Sequence, residues 1–325
     1  MLKRKTIIAS VIASLLAGGT TALFAQAGDF PARPITLVAP FPAGSVTDAV
    51  TRVLANALTQ SLGKPVIVEN RAGAQGTIGA AYVARAKPDG YTLLVGSSVM
   101  FVANSLYKEL SYDPVKSFVP VSNVGSTAMM FLVPQASPFK TITDLAVAQR
   151  TSKDPITMAF GSPSGQVALA LFSSVTNSAP IAVAYRGIPQ AVTDMIGGQV
   201  NVAVVDIGSG LAQVNGKKAR ALAISSGTRY EGAPDVPTLQ EAFPRASGTL
   251  ETLIAVMAPA GTPAPIVATL DAAIRSVMAT TPVKAHFQVL NTKVMPLTSK
   301  QLDDRIRADN PRWEDLIKKA GMELQ

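Results

Sequence analysis

The chain contains no cysteine and a single histidine. Without cysteine there can be no disulfide framework, no thiolate zinc site, no iron–sulfur ligation and no thiol nucleophile. One histidine leaves no multi-histidine metal site and no two-histidine facial triad, so neither a metal nor any other cofactor is expected. Charge is also scarce. Only 15% of the residues are charged while 48% are hydrophobic, against roughly 25% charged in an ordinary soluble chain, which argues against disorder and for a large buried core. Aromatic residues make up 6%, and beyond the N-terminus no run of five basic residues occurs. The basic stripe interleaved with stacking rings that a nucleic-acid partner requires is therefore missing. A length of 325 residues is a soft indication of two domains.

The formal charge of +8 is partly a property of the first residues. Lys3, Arg4 and Lys5 form a basic cluster, Thr6 to Ala17 is uncharged and apolar, and Ala25-Gln26-Ala27 supplies the small residues that a signal peptidase reads. Residues 1–27 are thus expected to be a secretory signal, leaving a mature chain that starts at Gly28 and carries a charge of +5 once those three cations are removed. An uncleaved anchor is disfavoured, because Gly18-Gly19-Thr20-Thr21 interrupts the apolar stretch. With no cysteine for lipidation, a soluble exported protein is the expectation.

The mature chain alternates short apolar runs with amphipathic stretches. Strands are predicted at Ile35–Phe41, Val66–Glu69 and Tyr91–Gly96, with helices after Val46 and over Thr77–Ala86. Asp113-Pro114 and Pro120 break the chain, and Met129–Val133 opens a second series. In it, strands near Ile156–Phe160, Ile181–Tyr185, Val200–Asp206 and Arg220–Ser225 alternate with helices near Gln166–Asn177, Pro189–Gly197 and Gly208–Val214. Pro263–Ala279, Val283–Leu290 and Ser299–Ala320 are predicted to be helical. Strand–loop–helix–strand repetition implies βαβ units with parallel pairing.

In parallel α/β sheets, ligands bind beyond the carboxyl ends of the strands, where helix N-termini present unpaired backbone N–H groups. The turns at those ends form a consistent set: Pro42-Ala43-Gly44-Ser45, Gly96-Ser97-Ser98, Gly161-Ser162-Pro163-Ser164-Gly165, Arg186-Gly187 and Gly208-Ser209. All are small and rich in glycine or serine. The chemistry they suggest is capture of a small anion such as a carboxylate, although glycine and serine are also the ordinary residues of any such turn.

The segments Pro31–Leu58, Leu62–Ser97, Leu110–Ser122, Tyr185–Val200 and Met257–Pro265, among them YRGIPQAVTDMIGGQV and MAPAGTPAP, resemble the Bug family, the extracytoplasmic solute receptors of tripartite tricarboxylate transporters. The likeness runs in order over almost the whole mature chain. It implies an α/β, two-lobed periplasmic-binding-protein fold of the Venus-flytrap, type II kind, each lobe a mostly parallel sheet flanked by helices. It further implies a periplasmic, non-enzymatic receptor, monomeric, that closes on a small di- or tricarboxylate, acidic amino acid or aromatic acid and delivers it to separate membrane permease subunits. Residues 28–125 with 251–325 would form the first lobe and 126–250 the second, joined by two crossovers. Two departures stand out. Ser45 occupies the place of a second glycine in the family's first ligand loop, and GSPSGQVALALF from Gly161 is shorter than usual and lacks a histidine.

The expected ligand contacts are Ala43, Gly44, Ser45, Thr47 and Asp48 in the first loop, Gly96 and Ser97 after the third strand, and Gly161, Ser162, Ser164, Tyr185, Arg186, Gly187 and Asp206 in the second lobe. Ser45 and Asp48 also fit an S-x-x-D capping box. Arg186 is the one guanidinium placed for a bidentate carboxylate contact, and Asp206 suits a ligand ammonium or hydroxyl. Asn70-Arg71-Ala72-Gly73 with Gly76 and Gly79 matches neither a dinucleotide fingerprint nor a P-loop and is expected to be structural. A serine hydrolase fares poorly, since Ser162 and Ser164 lack G-x-S-x-G spacing and His286 is remote in sequence. A receptor that signals to a sensor kinase would use the same fold.

Overall fold

In the computed structural model, residues 30–320 are described apart from Lys153, Ala246 and Ser247. The expected signal sequence therefore lies outside the described residues. β1 (Ile35–Ala39) is a continuous apolar run and sits between β2 (Val66–Asn70) and β3 (Thr92–Ser97), parallel to both. α1 (Val46–Leu62) and α2 (Thr77–Ala84) make the connections. In the second series β5 (Thr157–Phe160), β6 (Ile181–Ala184) and β7 (Val202–Asp206) form the same parallel arrangement, linked by α4 (Pro163–Thr176) and α5 (Ile188–Ile196). α3 (Ile142–Thr151) precedes β5, and α6 (Ile207–Asn215) leads into β8 (Ala219–Ile224).

Two long strands join the halves. β4 (Phe118–Pro134) runs unbroken through the point where the sequence suggests a new series. Pro120 is accommodated because the pairing shifts at a bulge between Pro120 and Ser122, where no ladder donor is demanded of it. β9 (Glu251–Pro259) follows the short α7 (Leu239–Ala242) and runs antiparallel to both β3 and β4. Up to Ala128, β4 pairs with β9; from Met129 onward it pairs with β7 and β8. Each sheet is consequently mixed, with a parallel outer part and antiparallel strands at the crossover, because β4 and β9 carry the chain between sheets in opposite directions. Ser225 ties the crossovers together: its hydroxyl accepts from Met129 N–H at 2.9 Å and donates to the Leu250 carbonyl at 2.7 Å.

Strand alternation gives each sheet two buried faces. Ile254, Val256 and Ala258 face the core under α1, α8 (Ala264–Met278) and α9 (Thr281–Val289), whereas Leu253, Ala255 and Met257 face α2. Met129, Phe131 and Val133 likewise oppose Ala128, Met130 and Leu132 in the second sheet. β10 (Lys293–Leu297) adds to β4, and α10 (Ser299–Lys319) ends the described chain. Leu302 and Ile306 of α10 pack on the first sheet, while Trp313 and Ile317 join the core of the second. The 3₁₀ segment Ser98–Ser105 follows β3, and Val99, Val102 and Ala103 of it, with Leu106 and Tyr107 just beyond, join that second core. No single helix among the described residues is long and apolar enough to cross a membrane.

Candidate functional site

Five helix N-termini converge on one cleft between the sheets. Ser45 caps α1, with its hydroxyl accepting from Asp48 N–H at 3.2 Å. Ser97 caps the 3₁₀ segment and accepts from Val99 N–H at 3.1 Å. Ser162 caps α4, accepting from Gly165 N–H at 3.2 Å. Gly187 precedes α5 with no side-chain cap, and Asp206 caps α6. The cleft encloses a void of about 50 Å³ bordered by Ser45, Thr47, Ser97, Gly161, Ser162, Ser164 and Asp206, and also by Phe41, Met129, Ile188 and Ile254.

No lysine, arginine or histidine is among the cleft-lining residues, so an anion there is met by backbone N–H groups, hydroxyls and helix dipoles. Each terminus contributes about 0.3–1 kcal/mol when exposed and up to about 2 kcal/mol when partly buried. One of the five is already occupied. The Asp206 carboxylate accepts from Ser209 N–H at 2.8 Å and from the Ser209 hydroxyl at 2.9 Å. Burial pushes its carboxyl above the usual range, with those hydrogen bonds opposing the shift. Ser45, Ser97 and Ser162 each take one N–H of their own terminus, so the other N–H groups of those turns and the uncapped start of α5 are what a ligand can use.

The two sides of the cleft touch. Ser97 Oγ and Ser164 Oγ lie 2.9 Å apart across it. A Cβ built on Gly187 would lie 2.9 Å from Pro42 Cγ, and one built on Gly208 would meet the Leu290 carbonyl at 2.6 Å and Val46 Cγ2 at 3.0 Å. Gly161 is required for a different reason: a Cβ there would run into the backbone of Gly187 and Ile188.

Several expected contacts do not border this void. Ala43 and Gly44 are exposed at the rim, and Gly44 has a left-handed φ of 83°. Asp48 is buried beneath the loop, where it accepts from Gly44 N–H at 3.0 Å, from Arg52 Nε at 3.1 Å and from Asn70 Nδ2 at 2.8 Å. Burial raises its carboxyl, but these partners outweigh burial and hold it below the usual carboxylate range. Asp48 thus reaches back to Gly44 and fixes the loop's shape. Gly96 lies within β3 against Met100. Tyr185 donates to Asp194 Oδ2 at 2.9 Å, and Arg186 is exposed; neither borders the void. His286 is exposed on α9, with Nδ1 2.7 Å from the Pro282 carbonyl, and it does not border the cleft that holds Ser162 and Ser164. Thr127, Met129, Thr252, Leu253 and Ile254 border the void from the crossover strands. They were missed because sequence patterning cannot tell a crossover strand from a core strand.

Residues 50–322 match the model of the tripartite tricarboxylate transporter family receptor. The chain belongs to this family. It is 32% identical to protein BugT of Bordetella pertussis over 325 residues, covering 98% of this chain and 99% of that one. Among solved structures, MatC from Rhodopseudomonas palustris with bound malate superimposes with a TM-score of 0.82 at 30% identity, covering 89% of this chain and 100% of that one. A second R. palustris protein, solved with adipate, gives a TM-score of 0.85 at 26% identity, with 91% and 100% covered. As a receptor of this family the chain is a solute-binding protein and not an enzyme, with the two-lobed α/β fold that the resemblance implies.

Proposed function

We propose that the chain is a periplasmic receptor that captures a small carboxylate between its lobes and presents it to the permease subunits of a tripartite transporter. The observation that carries this reading is the convergence of capped helix N-termini from both sheets on a cleft with no cationic side chain. Such a site recognises a carboxylate by directed N–H and O–H donors. The malate and adipate bound to the two structural relatives are of that class. Ligand oxygens replace the Ser97–Ser164 contact and bridge the same two elements, so closure is favoured by a ligand that engages both sides. The lobes divide within β4 and at the start of β9, near residues 125/126 and 250/251, and the receptor works as a monomer.

Thermal melting of residues 28–325 against a panel of small acids tests this reading, since a ligand of the native state raises the melting temperature by mass action. At least one diacid of four to six carbons should raise it in a saturable way while its diamide does not. A panel in which no acid produces a shift contradicts the proposal.

A further inference from the structure

The floor of the cleft carries a pair of threonines that the loop chemistry does not use. Thr127 of β4 and Thr252 of β9 are direct partners in the antiparallel register, and both border the void. Register also fixes where the pair lies. Ser97 pairs with Ile254 on the first-lobe side, and Met129 pairs with Asp206 on the second-lobe side. Thr127 and Thr252 therefore sit between the lobes, on the strands that cross.

Their hydroxyls differ. Thr127 Oγ1 lies 3.3 Å from the Ala128 carbonyl. Thr252 is 2% exposed, and its Oγ1 is buried without a hydrogen-bond partner. Its neighbours on β9 are Glu251 and Leu253, with Ile254 two residues further along, and valine would fill the same position without the unpaired oxygen. An unpaired buried hydroxyl is a destabilising feature that native chains keep rarely and for a reason. Its location at a ligand cleft supplies the reason.

We infer that Thr252 is a specificity-determining residue whose hydroxyl takes the second polar group of a bifunctional acid, so that the receptor selects dicarboxylates over monocarboxylates of equal length. The inference rests on the proposed carboxylate reading. The first carboxylate is held at the helix N-termini, and the far end of the ligand reaches the crossover floor. An acid ending in a methyl group leaves Thr252 unpaired and loses affinity for that reason, as sites built to hydrogen-bond a substrate reject analogues that lack the group. A ligand anchored on the crossing strands also touches the segment about which the lobes move.

The test is calorimetry with succinate against butyrate and adipate against hexanoate, on wild type, Thr252→Val and Thr252→Ser. Wild type should bind the better diacid at least tenfold more tightly than its monoacid. Thr252→Val should weaken that diacid about tenfold and leave the monoacid within twofold, and Thr252→Ser should restore most of the diacid affinity. Equal losses for diacid and monoacid in Thr252→Val, no loss, or failure of the serine variant to restore binding overturns the inference and leaves the carboxylate reading standing. If wild type binds none of the four acids, the inference falls, and the carboxylate reading falls with it only if the wider thermal panel also shows no shift.

Discussion

Gly187 offers a way to disturb closure without disturbing either lobe. Its backbone is extended, with φ −175° and ψ 164°, a conformation open to any residue. A Cβ at this position would lie 2.9 Å from Pro42 Cγ and 3.0 Å from Pro42 Cδ, whereas carbon atoms in ordinary contact lie about 3.5–4.0 Å apart. Gly187 follows β6 of the second sheet and Pro42 follows β1 of the first, so Gly187→Ala wedges the mouth of the cleft by roughly 0.5–1 Å. Overpacking of this kind costs about 1–3 kcal/mol. Here the cost falls only on the closed state, so the affinity for the best acid of the panel should drop by about 5- to 150-fold. Folding stability without ligand should hold or rise slightly, since Gly→Ala at a compatible backbone position reduces the entropy of the unfolded chain. Calorimetric titration together with melting curves reads both quantities. Unchanged affinity, or a fall in melting temperature proportionate to the loss of binding, would refute the reasoning.

Other perturbations isolate single contacts. A double-mutant cycle on Ser97→Ala and Ser164→Ala, two residues 2.9 Å apart across the cleft, should show a coupling of about 0.5–3 kcal/mol in ligand affinity; additive effects would place the ligand away from this pair. Asp48→Asn should destabilise the first loop near neutral pH, because Arg52, Gly44 and Asn70 all favour the carboxylate. The native carboxyl titrates below its unfolded value, so the wild-type advantage is fully present above about pH 4, and it disappears as pH falls through the lower native value. Melting curves of both proteins from pH 7 to pH 2 should converge at the acid end, and a constant difference across that range would contradict the assignment.

Much of this arrangement was legible in the sequence for a local reason. Capped turns announce themselves: Ser45, Ser97, Ser162 and Asp206 each follow an apolar strand and precede a helix, and each caps the element that follows it. Those residues face the cleft because a cap sits where the helix dipole points. Sequence order cannot show on which side of a turn a long side chain leaves: Arg186 is exposed, while Ile188 borders the cleft. Asp48, close in sequence to the ligand loop, is buried beneath it and accepts from Gly44 N–H. The crossovers were hidden by their ordinary composition. Pro120 read as a break, so only Met129–Val133 of a 17-residue strand was predicted, and Glu251–Pro259, with no turn signal inside it, gave no sign that it forms the floor of the site.

A crystal structure of the chain with its best-binding acid tests the central claim most directly. The account predicts one carboxylate within about 3 Å of N–H or O–H donors from the Ser45–Thr47 and Ser97–Ser98 turns on one side and the Ser162–Ser164 turn on the other, with no cationic side chain in contact. A carboxylate paired with Arg186, or an acid held by one lobe alone, would contradict it.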